Sequence, residues 1–179
     1  MAEMELDGDL SERMSWIDTA DEPDWDAVYA EQLPRVYNYF RYRIRNDAVA
    51  EDLTSQTFEK AWRARRRYRR DLAGFGTWLL TIARNVAIDH LRTRRDHRDL
   101  DEAADVAADR TPEDEGARAS DLERLAILVA DLSEREQELL ALKYGAEATN
   151  RAIARITDMT ESNVGTILHR IVQRLRRDW

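Results

Sequence analysis

The polar residues near the carboxyl end of the chain are of the types that contact nucleic acid. Asn163, Thr166 and Arg170 are separated by three and four residues, and Gln173 follows three residues later, so all four fall on one face of a predicted helix. Amide and hydroxyl groups hydrogen-bond base edges, whereas guanidinium groups bind phosphates. The opposite face is apolar and comprises Val164, Leu168, Ile171, Val172 and Leu175. The pattern predicts a DNA-facing helix, although an ordinary amphipathic helix with a solvated face has the same pattern.

The segment before this helix has the outline of a helix-turn-helix. A short helix is predicted over Asn150 to Ile156, a tight turn over Asp158 to Thr160, and a longer helix from Glu161 to about Arg177. In such motifs the second helix contacts bases through its N-terminal residues. The candidates for base reading are Glu161, Ser162, Asn163 and Thr166. The candidates for phosphate contact are His169, Arg170 and Arg174.

A second polar stripe lies in the first half of the chain. A helix predicted over Thr77 to Arg95 places Thr81, Arg84, Asn85, Ile88, Arg92 and Arg95 on one side. The segment Arg63 to Arg70 adds further arginines and Tyr68, and Gly74 and Gly76 mark a loop. Arginines beside aromatic rings suit single-stranded nucleic acid. The competing interpretation is a solvated helix face with Trp62 and Trp78 in the core.

The charge is unevenly distributed along the 179 residues, although the net charge is −8. Residues 1–34 and 99–138 are strongly acidic, whereas residues 35–98 and 139–179 are basic. A phosphate backbone responds to the local charge within a Debye length of about 8–10 Å. Two basic blocks separated by an acidic one are therefore compatible with two contacts to nucleic acid.

The sequence offers no set of residues for catalysis or metal binding. Cysteine is absent, which excludes thiol catalysis and cysteine-held metals. His90, His97 and His169 are scattered, and two of them lie among arginines. We therefore predict a protein that is not an enzyme and needs no cofactor or metal. Without a long apolar run or a basic leader, the chain is expected to be cytoplasmic, with no membrane insertion.

The predicted elements make an all-α protein of two small helical domains joined by a flexible acidic linker. The predicted divisions are an acidic disordered tail over 1–23, a first domain over 24–97, a linker over 98–111 and a second domain over 112–179. The first domain has helices from Asp24, where Pro34 is expected to kink or interrupt the helix, from Asp47 to Arg66, and from Thr77 to Arg95. In the second, Thr111-Pro112-Glu113 and Ser133 to Glu136 are predicted helix starts.

Three segments resemble bacterial sigma factors of the extracytoplasmic-function (ECF) group. Asp47-Ala48 with Glu51 to Trp62 resembles region 2.2, and Thr77 to Arg92 resembles regions 2.3 and 2.4. Asn150 to Ala154, with Thr160 to Arg170, resembles region 4.2. The resemblance implies a sigma region 2 bundle and a sigma region 4 helix-turn-helix, in the order and with the linker that the family has.

The resemblance also implies roles for individual residues. The polymerase-binding set is Asp47, Glu51, Asp52, Leu53, Gln56, Thr57, Phe58 and Trp62. The set for the minus-ten promoter element is Arg70, Asp71, Gly74, Phe75, Thr81, Arg84, Asn85, Asp89, Arg92 and Arg95. The set for the minus-thirty-five element is Arg151, Thr160, Glu161, Ser162, Asn163, Thr166, His169, Arg170 and Arg174.

The partners implied are core RNA polymerase, through its β′ clamp helices and β flap, promoter DNA in double-stranded and melted form, and an anti-sigma factor. The alternative from another class is a helix-turn-helix repressor or activator that acts without being a polymerase subunit. A third interpretation, a helical scaffold without nucleic acid, leaves both basic stripes without a role. For the acidic tail we hypothesise competition with DNA for the arginines Arg84, Arg92 and Arg95; a solubilising tail, or a docking segment around Trp16 and Ile17, is the simpler alternative.

Overall fold

A computed structural model describes residues 25–100 and 118–179 of the chain. Within these two ranges all regular secondary structure is helical, which confirms the predicted all-α fold class. The predicted tail, the linker from residue 101 onward and the helix start at Thr111-Pro112 lie outside the described residues. Among the helices of residues 25–100 and 118–179, none combines the length and the hydrophobicity that a membrane span requires.

Residues 25–100 form three long helices. They are α1 (Trp25–Ile44), α2 (Asp47–Ala64), which is followed by a 3₁₀ turn (Arg65–Arg67), and α3 (Phe75–Leu100). Asn46 caps α2, because its side chain accepts a hydrogen bond from the Val49 amide at 2.9 Å. α3 begins two residues before its predicted start and runs on to Leu100, into the segment assigned to the linker.

The predicted interruption of the first helix does not occur, since α1 continues through Pro34. A proline inside a helix leaves the carbonyl four residues earlier without its amide partner. Here that residue is Ala30, which is exposed, so water can hydrogen-bond its carbonyl. Val36 and Phe40 on the following turns are fully buried. Their packing holds the helix together past the proline.

Residues 118–179 form four helices and one π-helical turn. They are α4 (Arg118–Ala130), α5 (Glu134–Leu140), the π-helical turn (Ala141–Gly145), α6 (Asn150–Thr157) and α7 (Glu161–Asp178). The capping box predicted at the start of α5 is confirmed: the Ser133 hydroxyl accepts from the Glu136 amide, and the Glu136 carboxylate accepts from the Ser133 amide at 2.8 Å. Thr149 and Thr160 cap α6 and α7 in the same way with their hydroxyls.

The two halves share one hydrophobic core. α1 packs against α2 and α3 on one side and against α5 and the π-helical turn on the other, while α3 also contacts α6. Tyr39 and Phe40 of α1 are fully buried in the same cluster as Leu139 and Leu142. The two predicted domains are therefore docked on each other in this structure, an arrangement that the sequence pattern did not indicate.

Candidate nucleic-acid interface

The predicted helix-turn-helix is present and consists of α6, a tight turn and α7. Asp158, which ends α6, adopts a left-handed conformation with φ 56° and ψ 46°. The Met159 amide then donates to the Ala154 carbonyl at 2.9 Å. These two features reverse the chain within three residues, so that α7 begins at Glu161. The turn fixes the angle between the helices, as this motif requires.

α7 has the two faces that its sequence predicts. Val164, Leu168 and Ile171 are buried, whereas Asn163, Thr166, Arg170 and Gln173 are exposed. Glu161 and Ser162 are also exposed, and the Thr160 hydroxyl is used as the cap. The exposed polar groups at the start of α7 are free of the core and face solvent. This arrangement meets the geometric requirement for base reading.

Two arginines of the predicted minus-thirty-five set make contacts within the protein. Arg174 on α7 lies 2.5 Å from the Asp131 carboxylate, in the connection between α4 and α5, and 3.9 Å from Asp178. Arg151 on α6 lies 3.4 Å from Glu161. Arg174 therefore connects α7 to the α4–α5 connection and is less suited to a phosphate contact than Arg170. Arg170 lies on the exposed polar side of α7, which we call its open face and define as Asn163, Thr166, Arg170 and Gln173.

A polar cleft of about 320 Å³ beside α7 contains residues that the sequence analysis did not select. Lys143 and Tyr144 of the π-helical turn face His169, Gln173 and Arg176 of α7 across it. The cleft is cationic, because it has Lys143 and Arg176 and no carboxylate among its lining residues. The sequence carried no signal for Lys143, since it lies in the π-helical turn, more than twenty residues before the α7 residues that line the same cleft.

The basic face of α3, which we define as Arg84, Arg92 and Arg95, is largely engaged by acidic residues. Arg84 Nε lies 2.9 Å from Glu138 Oε1, and this pair is mostly buried, with side-chain exposures of 22% and 8%. Arg95 pairs with Glu134 at the start of α5. Arg92 lies 3.9 Å from Asp89, which is 4.0 Å from Lys60. Two of the three arginines are thus paired with acids of α5, while Asn85 remains exposed.

The loop before α3 brings the predicted minus-ten residues next to an aromatic cluster. Phe75 packs against Tyr68, Trp78 and Trp25, with ring centroids 5.2 to 5.5 Å apart. Gly74 is exposed, and a Cβ built there meets no atom within 4 Å. Asp71 forms a two-point contact with Arg69 at 2.8 and 2.9 Å, which lowers the pKa of the Asp71 carboxyl. Arg70 is exposed, and Thr81 donates its hydroxyl hydrogen to the Thr77 carbonyl.

The tryptophans expected in the core differ in exposure. Trp78 is partly buried, but Trp62 is 49% exposed. The guanidinium carbon of Arg65 stands 4.2 Å from the Trp62 ring centroid, and Trp25 packs edge-on against the same ring at 5.2 Å. A half-exposed indole that stacks with arginine is a suitable platform for a base or for an aromatic partner residue.

The predicted polymerase-binding set is divided between the surface and the core of α2. Asp47, Glu51 and Asp52 are exposed, and Gln56 is partly exposed and donates to Asp52 at 2.8 Å. Leu53, Thr57 and Phe58 are buried, and the Thr57 hydroxyl donates to the Leu53 carbonyl. In this arrangement the three buried residues cannot touch a partner and instead anchor α2 in the core. Of the predicted set, the residues that a partner could reach are the exposed four, which we call the acidic face of α2, and Trp62.

Close contacts join the two halves of the molecule next to these surfaces. Arg35 of α1 donates to the Ala146 carbonyl at 2.9 Å, and Arg43 donates to Gln137 at 3.4 Å. Gly145 lies directly against α1, because a Cβ at this position would stand 2.8 Å from the Asn38 carbonyl oxygen. The contact is therefore specific in shape as well as in charge.

Burial at this contact perturbs two titrating groups, and a third lies on α3. Burial, together with Glu138, raises the pKa of Tyr39, whose hydroxyl has no hydrogen-bond partner. Burial also lowers the pKa of the Arg43 guanidinium. The pKa of His90 is lowered by burial and by Arg94, and the Asp52 carboxylate opposes this shift in part. No cluster that could hold a metal ion occurs among residues 25–100 and 118–179.

Comparison with known proteins identifies the class. The family model described as Sigma-70 region 2 matches residues 28–97, and that described as Sigma-70, region 4 matches residues 128–177. The ECF RNA polymerase sigma factor BldN of Streptomyces coelicolor is 30% identical over 177 residues, which cover 96% of this chain and 67% of the relative. The ECF sigma factor SigM of Bacillus subtilis is 25% identical, covering 84% of this chain and 92% of the relative.

A solved structure supports the same fold. The sigma factor RpoE of Bartonella quintana, in complex with the anti-sigma factor NepR, matches with a TM-score of 0.71 at 22% identity, covering 87% of this chain and 96% of that one. These matches define an RNA polymerase sigma factor. The chain belongs to the Sigma-70 family, in its ECF group, and directs promoter-specific transcription initiation. The interpretation as an independent repressor or activator is not favoured.

Proposed function

We propose that this sigma factor reads the minus-thirty-five element with the open face of α7, melts and holds the minus-ten element with α3 and the preceding loop, and binds the polymerase clamp through the acidic face of α2. The two units would be the domains over 24–97 and 112–179, joined by the linker over 98–111. It acts as a specificity subunit without catalytic activity of its own. The observation that carries the proposal is the exposed polar face of α7 in the segment that matches region 4.

The docking of the two halves sets a condition on this function. The promoter elements lie far apart along DNA, whereas Arg84 and Arg95 contact acids of α5 in this structure. The minus-ten element needs those arginines, so the halves must separate before both elements are bound. Polymerase would hold the separated domains at a fixed distance, and two linked weak contacts then act together through effective concentration.

Charge and exposure support the proposed polymerase contact. Asp47, Glu51 and Asp52 offer carboxylates on one side of α2. The double variant Asp52→Arg with Gln56→Ala should weaken binding to core polymerase without loss of helix content, measured by titration of labelled sigma factor and by circular dichroism. Asp121→Arg, the same charge change on exposed α4, is the control. Unchanged core affinity in the double variant would contradict the assignment.

The upstream contact is tested by separating base reading from phosphate binding. Asn163→Ala should change the preferred bases in a randomised minus-thirty-five library bound by holoenzyme, at about 1–3 kcal/mol for one good base contact. Arg170→Ala should weaken all sequences alike and reduce the salt slope by about one. The orientation proposed for α7 is incorrect if Arg170 sets base preference and Asn163 does not.

An anti-sigma factor is a further proposed partner. The RpoE structure that shares this fold was solved with the anti-sigma factor NepR. In the docked arrangement, the acidic face of α2 and the open face of α7 are both on the surface, where an inhibitor could cover them. An anti-sigma factor that favours this arrangement would keep the α3 arginines paired with α5 and the sigma factor inactive.

A further inference from the structure

A hydrophobic groove of about 390 Å³ opens on the side of the molecule where α1 meets α4, α5 and α7. Its walls are mostly apolar and include Leu125, Val129, Leu140, Leu175 and Trp179. Several of the side chains on or near it are exposed, with Leu125 at 38% and Trp179 at 47%. Exposed apolar side chains gathered in one concave surface indicate a binding site.

The groove is composite, because Tyr42 of α1 contributes one wall and the second half of the chain contributes the others. It exists in this form only while the two halves are docked. Its rim is cationic: Arg176 lines it, and Arg124 stands 5.6 Å from the Trp179 ring centroid. A fitting occupant is a short amphipathic segment with apolar residues on one face and acids beside them.

The tail of this chain contains such a segment. Leu10, Met14 and Ile17 are spaced by four and three residues, which is the spacing of one helical face. Asp9, Glu12 and Asp18 flank them, so their charge is complementary to the rim of the groove. We propose that residues 10–17 of the tail bind in the groove of their own chain and bridge its two halves.

The length of the tail permits this contact. From Trp25, where α1 starts, to Tyr42 at the groove, α1 spans about 26 Å at 1.5 Å per residue. The connection from Ile17 to Trp25 spans at most about 26–29 Å when extended, at 3.3–3.6 Å per residue. The segment therefore reaches the groove only with an almost straight connection along α1, and this makes the proposal sensitive to the length of the connection.

The groove is favoured over the basic face of α3 as the position of the tail. Arg84 and Arg95 already pair with Glu138 and Glu134. Acidic residues of α5 therefore contact two of the arginines that the tail was hypothesised to bind. The groove, in contrast, is lined almost entirely by apolar groups that no residue of the described ranges covers. This inference depends on the groove and the tail alone and does not depend on the assignment of the DNA contacts.

The test is a disulfide between the tail and the groove in the full chain, which has no cysteine of its own. Met14→Cys is combined either with Leu125→Cys in the groove or with Ile88→Cys on α3. Leu125 and Ile88 are exposed to a similar extent, 38% and 41%, so the second pair is a matched control. Disulfide formation within one chain should be at least about tenfold faster for the Leu125 pair, because binding raises the effective concentration.

Connection length provides the second arm of the test. Deleting residues 19–21 shortens the reach from Ile17 to about 17–18 Å, which is less than α1 requires, so the fast crosslink should disappear. Inserting three Gly/Ser residues there should retain the fast crosslink, because the longer connection reaches the groove without being fully extended. Replacing both Leu10 and Ile17 by Ser should also abolish the fast crosslink, while the helix content measured by circular dichroism stays unchanged.

Each other occupant of the groove would give a distinct result that overturns the proposal. Equal rates for the two cysteine pairs, or a faster one with Ile88, would place the tail elsewhere. Crosslinking between two chains, with a rate that depends on protein concentration, would show that a second copy fills the groove. Slow crosslinking of both cysteine pairs would show that the tail does not bind in the groove. The groove would then be available to a separate partner protein.

Discussion

The buried ion pair between Arg84 and Glu138 gives a prediction whose size follows from its environment. Removal of the charge on either side chain, by Arg84→Gln or Glu138→Gln, leaves the other without its partner at the contact between the two halves. A hydrogen bond to a charged group contributes about 1.5–3 kcal/mol, and less where water screens it. Because the side chains are only 22% and 8% exposed, we expect a coupling energy of about 1.5–3 kcal/mol.

A double-mutant cycle isolates this coupling from the other contacts of Glu138, such as Arg135 at 3.5 Å. The four proteins are compared by urea unfolding, with a fluorescence distance between the two halves recorded in the same titration. The matched control is the cycle for Glu59 and Arg63, which lie 2.6 Å apart but are 58% and 74% exposed. That exposed pair should couple by no more than about 0.5 kcal/mol.

The comparison of the two cycles tests whether the pair of Arg84 and Glu138 holds the two halves together. A large coupling for Arg84 and Glu138, lost together with the short distance between the halves, is the expected result. If both cycles gave the same small coupling, the buried pair would not hold the halves together. The docking of the halves would then have to depend on their other contacts, such as Arg35 with Ala146, Arg95 with Glu134 and the close approach of Gly145 to α1.

Two further predictions concern local structure. Gly145→Ala should separate the halves and increase the radius of gyration in small-angle scattering, because the new Cβ would lie 2.8 Å from the Asn38 carbonyl oxygen; Gly165→Ala, whose nearest atom is at 3.5 Å, should leave it unchanged. Ser133→Ala should lower the free energy of unfolding by about 1 kcal/mol in urea at pH 7. The hydrogen bonds to Ser133 lower the pKa of the Glu136 carboxyl in the folded protein. The stability that these bonds provide should therefore be fully present above the pKa of Glu136 in the unfolded chain, and it should be lost as the pH falls through the lower pKa of the folded protein.

The helix-turn-helix was predictable because its signals are local. Apolar residues repeat at helical spacing in α7, and Thr160 precedes its start as a capping residue. The capping box at Ser133 was predictable for the same reason, since both of its hydrogen bonds join residues three apart. Features that depend only on residues close together in the sequence can therefore be predicted from the sequence.

The exposure of the candidate site residues could be predicted only in part. The motif match selected Leu53, Thr57 and Phe58 together with Asp52 and Gln56, but the first three face the core. A sequence motif includes buried residues that hold a helix in place as well as the exposed residues that form its surface. Only the packing of α2 against α1 and α3 separates the two groups.

The docking of the two halves could not be predicted from the pattern at all. It depends on contacts between residues far apart in the sequence, such as Arg35 with Ala146 and Arg84 with Glu138. Neither arginine differs by sequence context from one that faces solvent. The continuation of α1 through Pro34 belongs to the same category, because the packing of Val36 and Phe40 on the following turns outweighs its local effect.

The π-helical turn has a consequence for insertions and deletions in this chain. The Ala146 amide donates to the Ala141 carbonyl, five residues back, so the turn holds one residue more than an α-helical turn would. Deletion of one residue there would let α5 continue as a regular helix and rotate everything after it by about 100° relative to α1. The α6–α7 unit would then present a different side to DNA while each helix kept its sequence. The register of this single turn sets the direction in which the reading helix faces.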